Sequence, residues 1–285
     1  MDTMSPVERV LRGLAITLVI LFFMFPILWI LLMSFQTNET ILRVPPSMVF
    51  EPTLINYRSL ITGKLQTAAG SLEIQFMRNL WNSLLLSTSS VAVGLLLGVP
   101  AAYAFARLKF RGSEDIAFTL LSFRFAPPLL VLLPLTIYFQ QIGLANTYIG
   151  LIWVYQLIVL PLILWIVRGY FEDIPADVEY AYRIAGHSWF ATFRKIALPL
   201  AKPGIAAAGL LAFIFAWNNF IFALVLASAD KQPVTVGALA FVTASGIQYG
   251  QIAAGIVLSI APTFALAIYA QRYLVEGLSL GAVKG

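Results

Sequence analysis

The residues in this sequence best equipped for chemistry crowd into one polar stretch, EYAYRIAGHSWFATFRKIALP, running from Glu179 to Pro199. It offers a carboxylate, phenols, guanidinium groups and an imidazole within a few turns of chain. A carboxylate near a histidine can move protons, and several histidines together can hold a metal. Neither chemistry fits here. His187 is the only histidine, and there is no cysteine. A histidine-rich metal site, a thiol nucleophile and a disulfide framework are therefore excluded. What remains is a basic and aromatic segment with a glycine near its middle and a proline at its end.

The elements that must position this segment are apolar. The chain has 285 residues, of which 60% are hydrophobic and 11% charged. A soluble domain carries about 25% charged residues. The mean hydropathy is +0.88. Six runs are long enough to cross a bilayer as helices: 14–35, 80–106, 116–139, 148–167, 204–226 and 252–273. The first follows Arg9 and Arg12, as a signal peptide would. It is too long for one and ends in MSFQTNE rather than small residues, so an uncleaved span is expected. The expected class is an all-α integral membrane protein with six transmembrane helices in a single domain, 1–285.

Lysine and arginine orient the spans. With the N-terminus inside, the inner segments hold twelve of the 18 and the outer ones five. Arg124 is the remaining one. Both termini are therefore expected in the cytoplasm, and the net charge of +5 needs no nucleic acid to explain it. The opening stretch then faces the cytoplasm, within a loop at about 172–200.

That loop reads as a helix, a turn and a second helix. Pro175 fixes the start, and Asp177 and Glu179 favour the positive end of a helix dipole. Gly186 can stop the helix in a left-handed conformation. A second, amphipathic helix presents Phe190, Phe193, Ile196 and Ala197, and Pro199 and Pro203 punctuate the start of the fifth span. Two readings stand: a helix pair that only packs on the bundle, or a docking site for a cytoplasmic partner.

Polar residues inside spans are few. Arg124, in SFRFAPP, is the only formal charge well inside one. It either lines a cavity that solute or a gate uses, or bonds to a neighbouring helix. Pro127, Pro128 and Pro134 follow it and free carbonyls that other groups must satisfy. Gln156, Trp217, Asn218 and Asn219 can present amides and an indole to the hydroxyls of a polar ligand, or can join helices together. Gly94, Gly98 and Pro100 read as close-packing or flexing points. No Asp or Glu lies deep in a span, which leaves an ion-coupled secondary transporter, the alternative reading, without an obvious carrier. An intramembrane enzyme has still less to work with.

The loop resembles the EAA loop of permease subunits of bacterial ABC importers, E-A-A-x-x-x-G, nine residues, then I-x-L-P. Gly186 is followed by nine residues and then IALP, with Ile196, Leu198 and Pro199 at the end of the pattern. On the other side the sequence departs. Tyr180 stands at the Glu position, Ala181 at the first Ala, Tyr182 at the second, and Ala185 where Asp is common; Glu179 lies one residue earlier. TLINYRSLI, GLANTYIGLI, LPLILWIVRGYFEDIP, AWNNFIFAL and EGLSLGAVKG are similar to the carbohydrate-uptake, maltose-transporter-like branch.

The resemblance implies a type I ABC importer permease fold in the bacterial inner membrane. It implies three partners: a cytoplasmic ATPase dimer, a second homologous permease in a heterodimer, and an extracytoplasmic solute-binding protein. The first loop helix, with Glu179, Tyr180, Ala181, Tyr182 and Arg183, would dock on the ATPase, and Gly186, Ile196, Leu198 and Pro199 would complete the coupling loop. Gly281 and Lys284 would reach the ATPase interface. The chain has no phosphate loop, its one Gly-Lys pair being Gly63-Lys64 followed by Leu65. No cofactor is expected on it, and ATP and Mg are expected on the partner.

Overall fold

The computed structural model describes residues 5–45, 49–67, 70–108, 110–244 and 246–281, with side chains described up to residue 271. It is mostly helical. The elements are α1 Pro6–Ser34, α2 Asn38–Ile41, α3 Ile55–Thr62, the hairpin β1 Lys64–Thr67 and β2 Gly70–Glu73, α4 Phe76–Arg107 and α5 Ser113–Ser122. They continue with α6 Pro128–Gln141, α7 Tyr148–Asp173, α8 Ala176–Ile184, α9 Trp189–Thr192, α10 Leu198–Leu200, α11 Lys202–Trp217 and α12 Ile221–Leu226. Last come α13 Val234–Gly237, the short pair β3 Val242–Thr243 and β4 Gly246–Ile247, and α14 Tyr249–Gly281.

Among the described residues four helices are long and apolar enough to cross a membrane: Val7–Ser34, Phe76–Arg107, Tyr148–Asp173 and Tyr249–Gln271. Two bent pairs also qualify if each is one span, Ser113–Phe125 with Pro128–Gln141 at 97° and Trp189–Leu200 with Lys202–Trp217 at 72°. The runs expected at 116–139 and 204–226 are thus not single rods. The first breaks at Ala126 and Pro127, whose extended backbone precedes the proline that opens α6. A residue before proline is driven out of the helical region. The second ends at Trp217, and α12 starts only after Asn218, Asn219 and Phe220. Pro203, in the first turn of α11, sits at the other bend.

The chain divides into two compact units. The first is Met1–Met77 with Ala238–Ile260. Here α1 begins earlier than the apolar run suggests, because Ser5 and Glu8 form a reciprocal capping box and Pro6 fits the first turn. Its end is held by Asn56, whose Nδ2 donates to the Ser34 and Gln36 carbonyls at 2.9 and 2.8 Å. Asn38 ties in the start of α14, donating to the Ile247 carbonyl and accepting from the Tyr249 amide, both at 3.0 Å.

The second unit is Arg78–Gly237 with Ala261–Gly285. Its centre is α7, with α4 and α11 laid against it. Glycine makes both approaches possible. A Cβ on Gly94 would stand 2.6 Å from Val159, and one on Gly98 2.9 Å from Ile163. In an apolar solvent small residues let helices come close enough for dispersion to hold them. Gln156 adds a polar joint, its Nε2 donating to the Ser90 carbonyl at 3.0 Å. At the other end Asn82 accepts from the Tyr148 hydroxyl and donates to the Asp230 and Gln232 carbonyls.

The tightest of these contacts gives a test. A Cβ on Gly204 would lie 2.1 Å from the Tyr170 ring, whereas one on Gly169 meets nothing within 4 Å. Gly204→Val is expected to overpack the α11–α7 contact and cost about 1–3 kcal/mol. Thermal unfolding of the purified protein should show a lowered Tm for Gly204→Val and none for Gly169→Ala.

Candidate functional site

The polar loop is a helix–turn–helix in the second unit. Its first helix, α8, runs from Ala176 to Ile184 with Pro175 before it and Asp177 and Glu179 in its first turn. Gly186 follows with φ +91°, the left-handed conformation that glycine adopts without a Cβ penalty. Ser188 caps α9 by accepting from the Ala191 amide. From Phe193 to Ala197 the winding loosens into a π-helix before α10. Such segments are frequent at functional sites.

Side chains lock the turn from both sides. Tyr182 stacks on His187 with ring centroids 3.9 Å apart, and the Arg183 guanidinium lies 3.6 Å over the Trp189 ring. These two contacts hold α8 against α9 across Gly186.

α8 has two unlike faces. Tyr180, Ala181 and Ile184 point to solvent, Tyr180 at 53% and Ile184 at 87% exposure. They lie at i, i+1 and i+4, one stripe of the helix. Glu179, expected among the docking residues, is turned inward and only 2% exposed. Its Oε2 accepts from the Tyr103 hydroxyl at 2.8 Å and its Oε1 from Arg107 Nε at 2.9 Å. Arg107 Nη2 also donates to the Ile174 carbonyl at 2.7 Å, just before α8. The Tyr103 ring packs on Phe193 at 4.9 Å and Phe171 at 5.3 Å. A buried carboxylate is tolerable because both oxygens are bonded and a cation faces it.

Tyr103 and Arg107 were not marked as site residues from sequence. Their i, i+4 spacing at the end of α4 was the available signal, since such pairs share a helix face. Arg168 makes a second charged joint, bonding Glu114 of α5 and Glu172 of its own helix. The other end of the IxLP pattern is in place: Ile196 and Leu198 are half-buried and Pro199 is exposed at the start of α10.

The residues expected along a solute path are scattered. The Arg124 guanidinium lies 4.2 Å over the Phe215 ring, and its Nη1 is buried without a hydrogen-bond partner. Gln156 joins α7 to α4, and its Oε1 is likewise unpaired. Trp217 is buried and stacked on Phe213. Asn218 donates back to the Ile214 carbonyl of its own helix, and Asn219 is buried with Oδ1 unpaired. Among the described residues no hydrogen bond joins any two of these five. Gly281 is the last residue of α14, and Lys284 lies outside the described residues. On the connection after α12, hydrogen bonds from Lys231, then Ser228, hold the Asp230 carboxyl down to about 2.

No group of three metal-ligating side chains occurs among the described residues. Apolar helices long enough to cross a membrane, with an anchored helix–turn–helix between two of them, define a helical integral membrane protein. Residues 94–279 match the family "Binding-protein-dependent transport system inner membrane component", and the chain belongs to that family. It is a transporter permease subunit of the inner membrane, not an enzyme.

The trehalose transport system permease protein SugB of Mycobacterium tuberculosis is 36% identical over 94% of this chain and 95% of its own length. The trehalose/maltose transport system permease protein MalG of Thermococcus litoralis is 31% identical over 98% of each chain. In fold, the chain is similar to a chain of a bacterial ABC transporter involved in import of the acidic polysaccharide alginate. That match has a TM-score of 0.76 at 22% identity and covers 96% of this chain and 99% of the other.

The turn provides a prediction. A Cβ at Gly186 meets nothing within 4 Å, so the cost of adding one is conformational rather than steric. Gly186→Val is expected to strain the turn by about 1–2 kcal/mol. Membrane insertion should survive on immunoblots of membrane fractions, while transport by the assembled complex is lost.

Proposed function

We propose that this chain is one of two membrane-spanning subunits of an ATP-driven importer that carries a sugar, polyol or similar polar solute into the bacterial cytoplasm. The observation that carries the reading is the split of α8 into an open face of Tyr180, Ala181 and Ile184 and an anchored face at Glu179. An exposed apolar stripe on a helix fixed at its back suits a cleft on a partner protein. The partner is the ATPase dimer, which holds ATP and Mg; this chain holds no cofactor. In this reading α5 with α6 makes one span and α11 with α12 another, Trp189–Leu200 staying in the cytoplasmic loop, which gives six spans with both termini in the cytoplasm, in the type I importer arrangement. α14 then ends beside the ATPase, with Gly281 and Lys284 at that interface.

The second permease is a homologous, non-identical chain. A largely apolar groove of about 900 Å³ between α4, α11 and α14, and the lipid-like surface of α1, leave area for it. The relatives named for trehalose and maltose transport favour a disaccharide as cargo. Reconstituted with its partners in vesicles, the complex is expected to take up radiolabelled trehalose or maltose with added ATP and no ion gradient. Uptake that needs a proton or sodium gradient and ignores ATP would establish the secondary-transporter alternative.

Arg124 belongs to the pathway in this reading, because its buried Nη1 donor is left without an acceptor from its own chain. A hydrogen bond from a charged donor contributes about 1.5–3 kcal/mol, so Arg124→Ala is expected to slow uptake by roughly tenfold or more. Co-purification of the ATPase should be unchanged. A drop in Tm with unaltered uptake per folded complex would make Arg124 structural instead.

A further inference from the structure

We infer that Glu179, Arg107 and Tyr103 form a positioning latch that makes motion of the docking helix into motion of the spans. The inference rests on the reading that α8 docks on the ATPase. α8 is short and hangs between Ile174–Pro175 and Gly186. The Tyr182–His187 and Arg183–Trp189 contacts hold the Gly186 side, so slack under a push on α8 would lie at the Ile174–Pro175 junction. The latch removes that slack. Arg107 bonds both the Glu179 carboxylate and the Ile174 carbonyl, which fixes the start of α8 to the end of α4. Tyr103 bonds the other carboxylate oxygen, and its ring touches Phe171 of α7 and Phe193 of the π segment. α8 and α4 are thus bonded at one carboxylate, and α7 and the π segment pack on the ring of the tyrosine that bonds it.

The geometry also separates two jobs within one helix. Consecutive residues on a helix are turned by about 100°. Tyr180 therefore faces the partner while Glu179 faces the bundle. A carboxylate at position 180 would serve the docking surface, whereas one at 179 serves the span. The latch is buried, with the Arg107 side chain 12% exposed and that of Glu179 3%. Its bonds are largely shielded from water, and a satisfied polar network of this kind rigidifies the packing around it.

The test uses the whole complex in nanodiscs. The chain has no natural cysteine, so Met77→Cys, in a complex whose partner subunits are made cysteine-free, places a unique reporter thiol in the exposed first turn of α4, at the opposite end of that helix from the latch. Its labelling rate by a water-soluble maleimide is measured with and without Mg-ATP plus orthovanadate. The ATPase rate is measured on the same sample. In the parent complex, nucleotide trapping should change the labelling rate. In Glu179→Gln and in Arg107→Gln, ATP hydrolysis should persist while that change is lost. The double variant should be no worse than either single one, since the tie is broken once. Tyr103→Phe, which keeps the ring cluster, should lose part of the response.

Should single variants fail to assemble because a charge is left buried alone, Arg107→Met with Glu179→Leu removes both charges. It is expected to assemble and still lose the response. A full labelling response in that double variant, or additive losses in the Gln pair, would overturn the latch. A parent complex whose thiol ignores nucleotide altogether would overturn the docking reading instead.

Discussion

The close approach of α4 to α7 is the contact on which the rest of the second unit depends. Two glycines on α4, Gly94 and Gly98, lie against Val159 and Ile163 with no room for a methyl group. A larger residue at either position would hold the helices apart. The consequence is felt at the end of α4, where Tyr103 touches Phe171 of α7 and Arg107 reaches the Ile174 carbonyl. Those reaches are a few ångströms and leave little tolerance. The loop is thus positioned by packing further back along α4, at Gly94 and Gly98, than the residues that reach it. In lipid this is the available means, because hydrophobic burial does not distinguish one apolar neighbour from another.

A second constraint shapes the bends. Backbone groups within the hydrocarbon must find partners, so a chain that leaves helical geometry there needs compensation. At Asn218 to Phe220 the helix ends, and the compensation is visible. Asn218 returns its amide to the Ile214 carbonyl, and Thr235 donates to the Asn219 carbonyl. At Ala126 and Pro127 the proline has no N–H to orphan. Arg124 Nη1, Gln156 Oε1 and Asn219 Oδ1 are among the buried polar atoms of the second unit that find no partner. Their presence fits a bundle that meets polar groups from outside its own chain.

How much of this was legible in the sequence differs by feature. The helix–turn–helix was readable because each signal is local: Pro175, two acidic residues, Gly186, and apolar spacing after it. The positions of the long spans were readable from hydropathy, apart from α1, whose cap lies before the apolar run. The breaks were harder. Hydropathy averages across Pro127 and across Asn218–Asn219, since the flanking residues are apolar on both sides. The partner of Glu179 could not be read, because it is 72 residues away in the chain. Only the packing of α4 on α7 brings Arg107 beside it. Proximity in sequence to the motif position made Glu179 resemble a docking residue, and one residue of helical rotation gives it the opposite task.

That rotation bears on how a coupling loop tolerates change in its motif. The outer stripe, Tyr180, Ala181 and Ile184, is exposed in the isolated chain, so only a partner surface constrains it. Substitution there can be matched by substitution on the partner. The inner face has no such freedom. Glu179 must keep both oxygens bonded, Tyr103 must keep its ring between Phe171 and Phe193, and Arg107 must span from a side chain to a backbone carbonyl. Removing one member leaves a buried charge or donor unpaired, which costs more than an exposed contact gains. The tyrosines at 180 and 182 are accommodated for this reason. One lies on the open face, and the other stacks on His187 within the turn, so neither disturbs the anchored carboxylate between α8 and α4.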